Sequence, residues 1–579
     1  MKLNQLSIKK IVLLNLGVII GLFLVIPLLL DLVEINSRIL FIMYLGTILI
    51  GILVVLMLFD IFFLVFKKQN YHIFSILNMS ITLLLFLLMM YSFLNNIFEI
   101  VYVMNYSDTT LVLIYKIVAI WAGQEGSIMT WMLFNSIIIN FYRIKNQNKE
   151  DLVFIRSVII SLIISTIFSI ILFSMNPFYV DLTPTFPTGQ GLNPLLMSPF
   201  MIWHPFFTFI SYAIFLVPFT IVISEVITRD SKLLNSYQQN FYNFSLKFGW
   251  LVTTLSIGLG AYWAKIALNW GRYWGWDPVE TVSLIPWLFI SAFFHTIIFK
   301  KKNPLLIKIN VSLIFLAVIF STLITRTGTL SPLHSFAGGS ELVIWLVVVG
   351  IALVGLSLYV IYIVLDYLME EYRKKKLFFD YLSYIFLFGL AFVCIFGLFI
   401  PPFTLFLSNY FPIDVIYIGS EYFIITTLIL AVGLAISLIF CSLWEYFEIK
   451  WIALAIVVGV SIQSVLSFSL LFILGVWINP IMIIFFISIF ASIFKFTNNL
   501  NVKKGFKYFF RLNSKTIIHT GISFILVGFL IDPNIALFQD IFFITGFILL
   551  LIGIVPSIFT VFFTKRDSKD SLPVEVSYQ

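Results

Sequence analysis

The stretch Trp270-Gly-Arg-Tyr-Trp-Gly-Trp-Asp-Pro-Val-Glu280 decides how the chain is read. Apolar runs flank it, Phe248–Leu268 before and Thr281–Phe299 after, each of bilayer length. The local reading is helix, aromatic turn, helix. Six of the 13 tryptophans fall between Trp250 and Trp287. A belt of tryptophan at a membrane surface is ordinary, but this one also carries Gly, Arg, Asp and Glu. Its right-hand end reads as a helix start, with Asp277 as N-cap, Pro278 as the first helical residue and Glu280 completing a capping box. That accounts for the two carboxylates. It leaves Trp270, Trp274 and Trp276 with glycines between them, and large flat rings with room beside them suit a flat apolar ligand with a polar edge.

Outward from that stretch the same pattern repeats. The chain has 579 residues, 61% hydrophobic and 11% charged, with a mean hydropathy of +1.08. This composition excludes a soluble globular protein. Apolar runs lie near 11–30, 39–66, 74–94, 128–142, 157–175, 204–227, 248–268, 281–299, 305–323, 342–365, 380–400, 421–444, 451–474, 479–497, 516–532 and 541–563, about sixteen transmembrane helices. The expectation is an all-α polytopic integral membrane protein with short outer interfacial helices and loops. Basic clusters alternate with the spans: Lys67–Lys68, Arg143–Lys145–Lys149, Arg229–Lys232, Lys300–Lys302, Arg373–Lys376, Lys503–Lys515 and Lys565–Arg566. All fall on one side if both termini are cytoplasmic, which satisfies the positive-inside rule. They read as topology signals, so no nucleic-acid partner is expected. The connections near 95–127, 176–203, 269–280, 324–341 and 401–420 then face outward. The first of these is apolar but punctuated by Asn95, Asp108 and Lys116, which fits interfacial helices. The N-terminal run lacks a cleavage pattern and reads as a retained helix. Residues 1–340 form an expected transmembrane core carrying the motif 269–287, and residues 341–579 a C-terminal bundle, with no large soluble domain. Cys394 and Cys441 lie in apolar runs and make no CxxCH, so the chain is not itself a c-type cytochrome.

The five histidines sort by depth. His204 and His334 lie at the outer face. His295 is 14 residues into its inward-running helix, about 21 Å at ~1.5 Å per residue. His519 follows Lys515 by four residues, about 6 Å below the cytoplasmic surface on the same arithmetic. Depth leaves two readings open: two bis-imidazole pairs that hold heme iron, or four separate interfacial histidines. His72, beside Lys67–Lys68, reads as structural. Three cations depart from the inside rule. Lys265 fits snorkelling. Arg272, within the tryptophan cluster, and Arg326, in the turn before His334, fit an anionic group such as a carboxylate. Glu125 sits in Trp121-Ala-Gly-Gln-Glu-Gly-Ser127, where the glycines point to close packing against another element.

These pieces resemble CcmF, the heme lyase component of system I cytochrome c maturation, and more broadly the heme-handling proteins with a tryptophan-rich WWD motif. The resemblance is carried by Trp121–Ser127, by Leu192–Pro199 running on to Trp203-His-Pro205, by Trp270–Glu280 with Pro286-Trp287 and His295, by Thr325–Ala337, and by His519-Thr-Gly. It covers residues near 115–340 densely and 515–530 again. It implies that His204 and His334 ligate an incoming heme as substrate, beside Trp270, Trp274, Trp276 and Asp277, with Arg272 and Arg326 at its propionates. It implies a resident heme b on His295 and His519, with quinol as electron source. It implies a heme lyase that forms thioether bonds between heme vinyls and the CxxCH cysteines of apocytochrome c, with no nucleophile of its own. The partners implied are a CcmE-type heme chaperone and CcmH/CcmI-type thiol-reducing, apocytochrome-binding proteins. The location implied is the prokaryotic cytoplasmic (inner) membrane, active toward the periplasm. Two departures stand out. Phe206 replaces the family's second proline after the outer histidine, and only Asp532–Asp540 joins the last two helices, where many members carry an outer domain. Two other function classes compete: an ion-translocating subunit using Lys265, Glu225 and the histidines, and a heme transporter that exports without attaching.

Overall fold

A computed structural model describes residues 35–67, 72–144, 151–228, 236–267, 272–296, 304–327, 378–444, 446–474, 479, 481–498, 506–531 and 536–563. The described chain is helical: α1 Ile35–Lys67, α2 His72–Leu94, short α3 Val101–Tyr106 and α4 Leu113–Val118, α5 Gln124–Ile144, α6 Leu152–Met175, α7 Pro199–Thr228, α8 Ser236–Ala267, α9 Pro278–Thr296, α10 Pro304–Thr327, α11 Phe378–Ser408, α12 Ser420–Leu443, α13 Ile449–Leu474, α14 Met482–Asn498, α15 Phe506–Leu530 and α16 Ala536–Phe563. Among the described residues the only β feature is an isolated bridge between Ile100 and Val180. Among the described residues eleven helices are long and apolar enough to cross a membrane. Every expected span falls on a helix except 11–30 and 342–365, which lie outside the described residues. The expected 340/341 boundary lies outside them too. By compactness the chain falls into two units, Met1–Cys441 and Ser442–Gln579.

In the first unit the helices are joined through buried hydroxyls and amides. Side chains that lack water must find partners on neighbouring helices. Ser75 on α2 donates to Asn140 on α5 at 2.8 Å, Thr82 meets Ser136 at 2.6 Å, and Ser161 on α6 meets Thr220 on α7 at 3.0 Å. Ends are set by local chemistry. Asp151 caps α6 by accepting from the Phe154 N–H at 3.0 Å, and Asn176 closes it with φ 41°.

Arg143, read from the sequence as part of a basic topology cluster, also has a structural partner. It is fully buried and bidentate to Asp60 of α1, with Nη1–Oδ2 at 2.5 Å and Nη2–Oδ1 at 3.0 Å. A guanidinium in that position is stable only because a carboxylate meets it in the same low-dielectric space.

In the second unit α15 and α16 meet backbone to backbone. A Cβ on Gly521 would come within 2.7 Å of the Gly546 carbonyl, and one on Gly546 within 2.6 Å of the Gly521 carbonyl. Gly528 and Gly553 lie seven residues further along each helix and also meet the facing backbone. Small residues at such spacing let membrane helices approach closely. The glycine of His519-Thr-Gly521 is thereby explained by the neighbouring helix.

Candidate functional site

His204 sits one turn into α7 and faces α8. Its Nδ1 lies 2.8 Å from the Ser256 carbonyl oxygen. A carbonyl only accepts, so Nδ1 carries the proton and Nε2 the lone pair. Room for the ring is made by Gly260: a Cβ there would stand 2.8 Å from His204 Cε1. Thr208 and Ser256 hydroxyls meet at 2.5 Å beneath it. The preceding segment is pinned to the same helix end. Asn193 accepts from the Leu195 N–H at 3.0 Å to shape the turn, and the Leu195 carbonyl accepts from Trp263 Nε1 at 3.1 Å.

The Trp121–Ser127 segment reaches this region through Phe206. That ring packs against Trp121 at 6.5 Å, Phe134 at 5.3 Å and Trp203 at 6.4 Å between centroids. An aromatic joint thus stands at Phe206, the position where the sequence departs from the family resemblance. The expected close packing of Gly123 and Gly126 is against Tyr102 and Tyr106 of α3. Tyr102 donates to the Ile120 carbonyl and accepts from the Gly123 N–H, each at 3.0 Å. Burial first, and the Glu125 charge second, push the Tyr106 hydroxyl up to about 12.

The aromatic turn joins α8 to α9 at the same end. Asp277 Oδ1 accepts from the Val279 N–H at 2.9 Å, and Glu280 Oε2 accepts from the Gly275 N–H at 2.9 Å. Asp277 caps the helix as expected. Glu280 additionally reaches back two residues beyond the cap and clamps the turn onto α9. Between these clamps Trp276 has φ +56°, the left-handed region that bulky residues avoid. Trp274 and Trp276 meet edge to face at 5.9 Å and 84°. Trp276 stacks on Phe423 of α12 at 5.8 Å and 6°. Lys265 places its ammonium 4.4 Å from the centre of the buried Tyr273 ring, a cation–π contact. Arg272 is exposed.

His295 lies in the last turn of α9, at the opposite end. Its Nδ1 is 2.9 Å from the Ser291 carbonyl, which again leaves Nε2 as the lone-pair atom. Trp250 donates to the Ser291 hydroxyl at 3.1 Å and packs on Phe294 at 4.9 Å, walling this end. His519 is half-buried on α15, in the second unit. Trp270, His334 and the Arg326 side chain lie outside the described residues.

Sequence reasoning missed Ser256, Gly260, Tyr273 and Phe423. Ser256 and Gly260 are small residues four apart on one face of α8, a signal that something packs there. Phe423 carried no signal, because its partner is nearly 150 positions away.

Fold and site define a class: a nearly all-helical, multi-pass membrane protein with an aromatic turn and a carbonyl-oriented histidine at one helical end. Residues 121–334 match the family described as Cytochrome C assembly protein. The chain is 34% identical over 253 residues to the cytochrome c-type biogenesis protein CcmF of Escherichia coli, covering 42% of this chain and 38% of that protein. It is 32% identical over 244 residues to the biogenesis protein NrfE of Haemophilus influenzae, with 42% and 38% covered. A solved structure titled Cytochrome c Heme Lyase CcmF superposes with a TM-score of 0.61 at 19% identity, over 85% of this chain and 77% of that one. Over this stretch the chain is similar to cytochrome c-type biogenesis proteins such as CcmF and NrfE, and its fold resembles that of the solved structure. The matched stretch spans about two fifths of the length of these curated relatives.

Proposed function

We propose that this chain holds heme at the end carrying His204 and joins it to the two thiols of a CxxCH segment in apocytochrome c. The observation that carries the reading is a backbone carbonyl within 2.9 Å of Nδ1 on each of His204 and His295. The Nδ1 protons of His204 and His295 are engaged by backbone carbonyls, so each Nε2 offers the lone pair that an iron ligand needs. His204 and His334 are the axial pair for the incoming heme. Trp270, Trp274 and Trp276 are the surface it lies against, with Asp277 at the border. Arg272 and Arg326 are the cations for its propionates. Each substrate thiol adds across one vinyl: a C–S bond forms, the thiol hydrogen passes to the neighbouring carbon, and no electrons are consumed. The chain supplies no nucleophile, and its contribution is positioning.

His295 and His519 are the proposed ligands of a resident heme b. A donor set of two imidazoles, one already held in the ligating tautomer, suits it. Bound there, such a heme would supply the reducing electrons that keep substrate iron ferrous, with quinol as the source. A CcmE-type chaperone delivers heme, CcmH/CcmI-type partners keep the apocytochrome reduced, and the His204 end faces the periplasm. The ion-translocating alternative is disfavoured, because Glu225 is ion-paired to Lys308 at 3.2 Å and Lys265 is held over Tyr273.

The test is a set of histidine variants in a host that depends on this chain for c-type cytochromes. His204→Ala with His334→Ala should stop holocytochrome c formation while the resident b-type spectrum remains. His295→Ala or His519→Ala should abolish that spectrum. Normal holocytochrome c in the first double variant refutes the proposed site. Heme delivered to the periplasm but left unattached by the wild type favours a transporter.

A further inference from the structure

We propose that Phe423 is a positioning residue for the tryptophan surface, backing the Trp276 ring so that heme meets only the opposite face. The proposal rests on the heme-handling reading above and extends the site to a helix outside residues 121–334.

The backbone under Trp276 is in a well that a bulky residue leaves unless its surroundings hold it there. The Glu280 clamp on Gly275 and the Asp277 cap fix the main chain on either side. Neither is a contact of the indole, which is held by rings. Trp274 meets it edge to face, and Phe423 lies parallel to it, 6° between planes at 5.8 Å, an offset stack. Phe423 therefore stands beside part of one face of the indole, at an offset.

Phe423 is itself seated firmly. It is 2% exposed. Gly397 of α11 makes its seat: a Cβ there would stand 2.6 Å from Phe423 Cε1 and 2.7 Å from Tyr422 Cε1. Tyr422 donates to the Val393 carbonyl at 3.3 Å, tying α12 to α11. Phe388 of α11 in turn packs on Phe289 of α9 at 5.4 Å. The aromatic turn opens α9, so the backing wall and the turn it backs hang from one helix. That arrangement fixes the height and tilt of the ring before any ligand arrives, which is what pre-organised positioning requires.

The test uses full-length protein labelled with 5-fluorotryptophan, the Trp276 resonance being assigned by its loss in Trp276→Phe. Hemin uptake is read as the part of the Soret change lost in His204→Ala, and resident heme serves as the folding control. Phe423→Leu should move the Trp276 resonance and weaken hemin uptake by about two- to tenfold, the range that loss of one aromatic pair implies. Phe423→Tyr should restore both. Gly397→Ala, whose methyl would press on the Phe423 ring while leaving both aromatic side chains chemically intact, should reproduce the shift and gives a second route if Phe423→Leu fails to fold. An unmoved resonance in both variants overturns the proposal. So does a moved resonance with wild-type hemin uptake. Wild-type protein with no His204-dependent uptake overturns the heme reading itself, and the proposal with it.

Discussion

Trp276 places two opposed demands on one residue. Its backbone sits where glycine is at ease, and its side chain is the largest available. Holding an L-residue there costs on the order of 1–3 kcal/mol. The order of two variants should expose that cost. Trp276→Leu keeps the strain and loses the ring, whereas Trp276→Gly loses the ring and the strain together. Thermal melts should find the leucine variant less stable than the glycine variant, although leucine buries more surface. The reverse order argues against strain. Gly260 yields a second expectation at this scale. Gly260→Val puts methyl groups where the His204 ring stands, so hemin uptake that depends on His204 should fall while the resident Soret band persists. His204 and the tryptophan turn were legible in the sequence because each is a rare residue in an apolar run. The Ser256 carbonyl that orients the imidazole was not, since every residue has a carbonyl and only helix register decides which one is met.

At the scale of elements, glycines do on α15 and α16 what hydroxyls do on α5, α6 and α7. Lipid offers no hydrophobic gain for helix pairing, so contact area and polar partners decide it. Gly521→Leu would drive a side chain into the α16 backbone. Overpacking of this kind costs about 1–3 kcal/mol. Because His519 is two residues away, the b-type band of the proposed His295/His519 site should weaken in parallel with a lowered Tm, and an unchanged Tm would contradict the packing described. The spans themselves were legible from hydropathy. α5 shows where that reading thins. Gln124, Glu125, Asn135, Asn140 and Arg143 keep it below the hydropathy of a membrane span, yet most of its residues are buried against neighbouring helices. Hydropathy reports preference for lipid, and a helix wrapped by other helices has no need of that preference.

For the whole molecule, the Asp60–Arg143 pair links α1 to α5 across the first unit. Removing one partner strands a buried charge at a cost of about 3–5 kcal/mol, while replacing both by apolar residues of similar volume is close to neutral. Asp60→Leu or Arg143→Met alone should therefore reduce the folded yield severely, and the double variant should recover it, as measured by monodisperse protein recovered in detergent. Failure of the double variant would assign the pair a role beyond stability. Sequence placed Arg143 among the cytoplasmic charges because it stands two residues from Lys145. Its partner lies 83 residues earlier, and no local pattern connects the two.

That separation has a consequence for synthesis. At about 5–20 residues per second, Asp60 leaves the ribosome roughly 4–17 s before Arg143 does. Through that interval α1 carries a carboxylate that lipid tolerates poorly, so it must wait at the insertion machinery, or shielded by a chaperone, until α5 is made. A nascent chain arrested between the two positions should remain cross-linkable to the translocon, and one arrested well beyond Arg143 should be released.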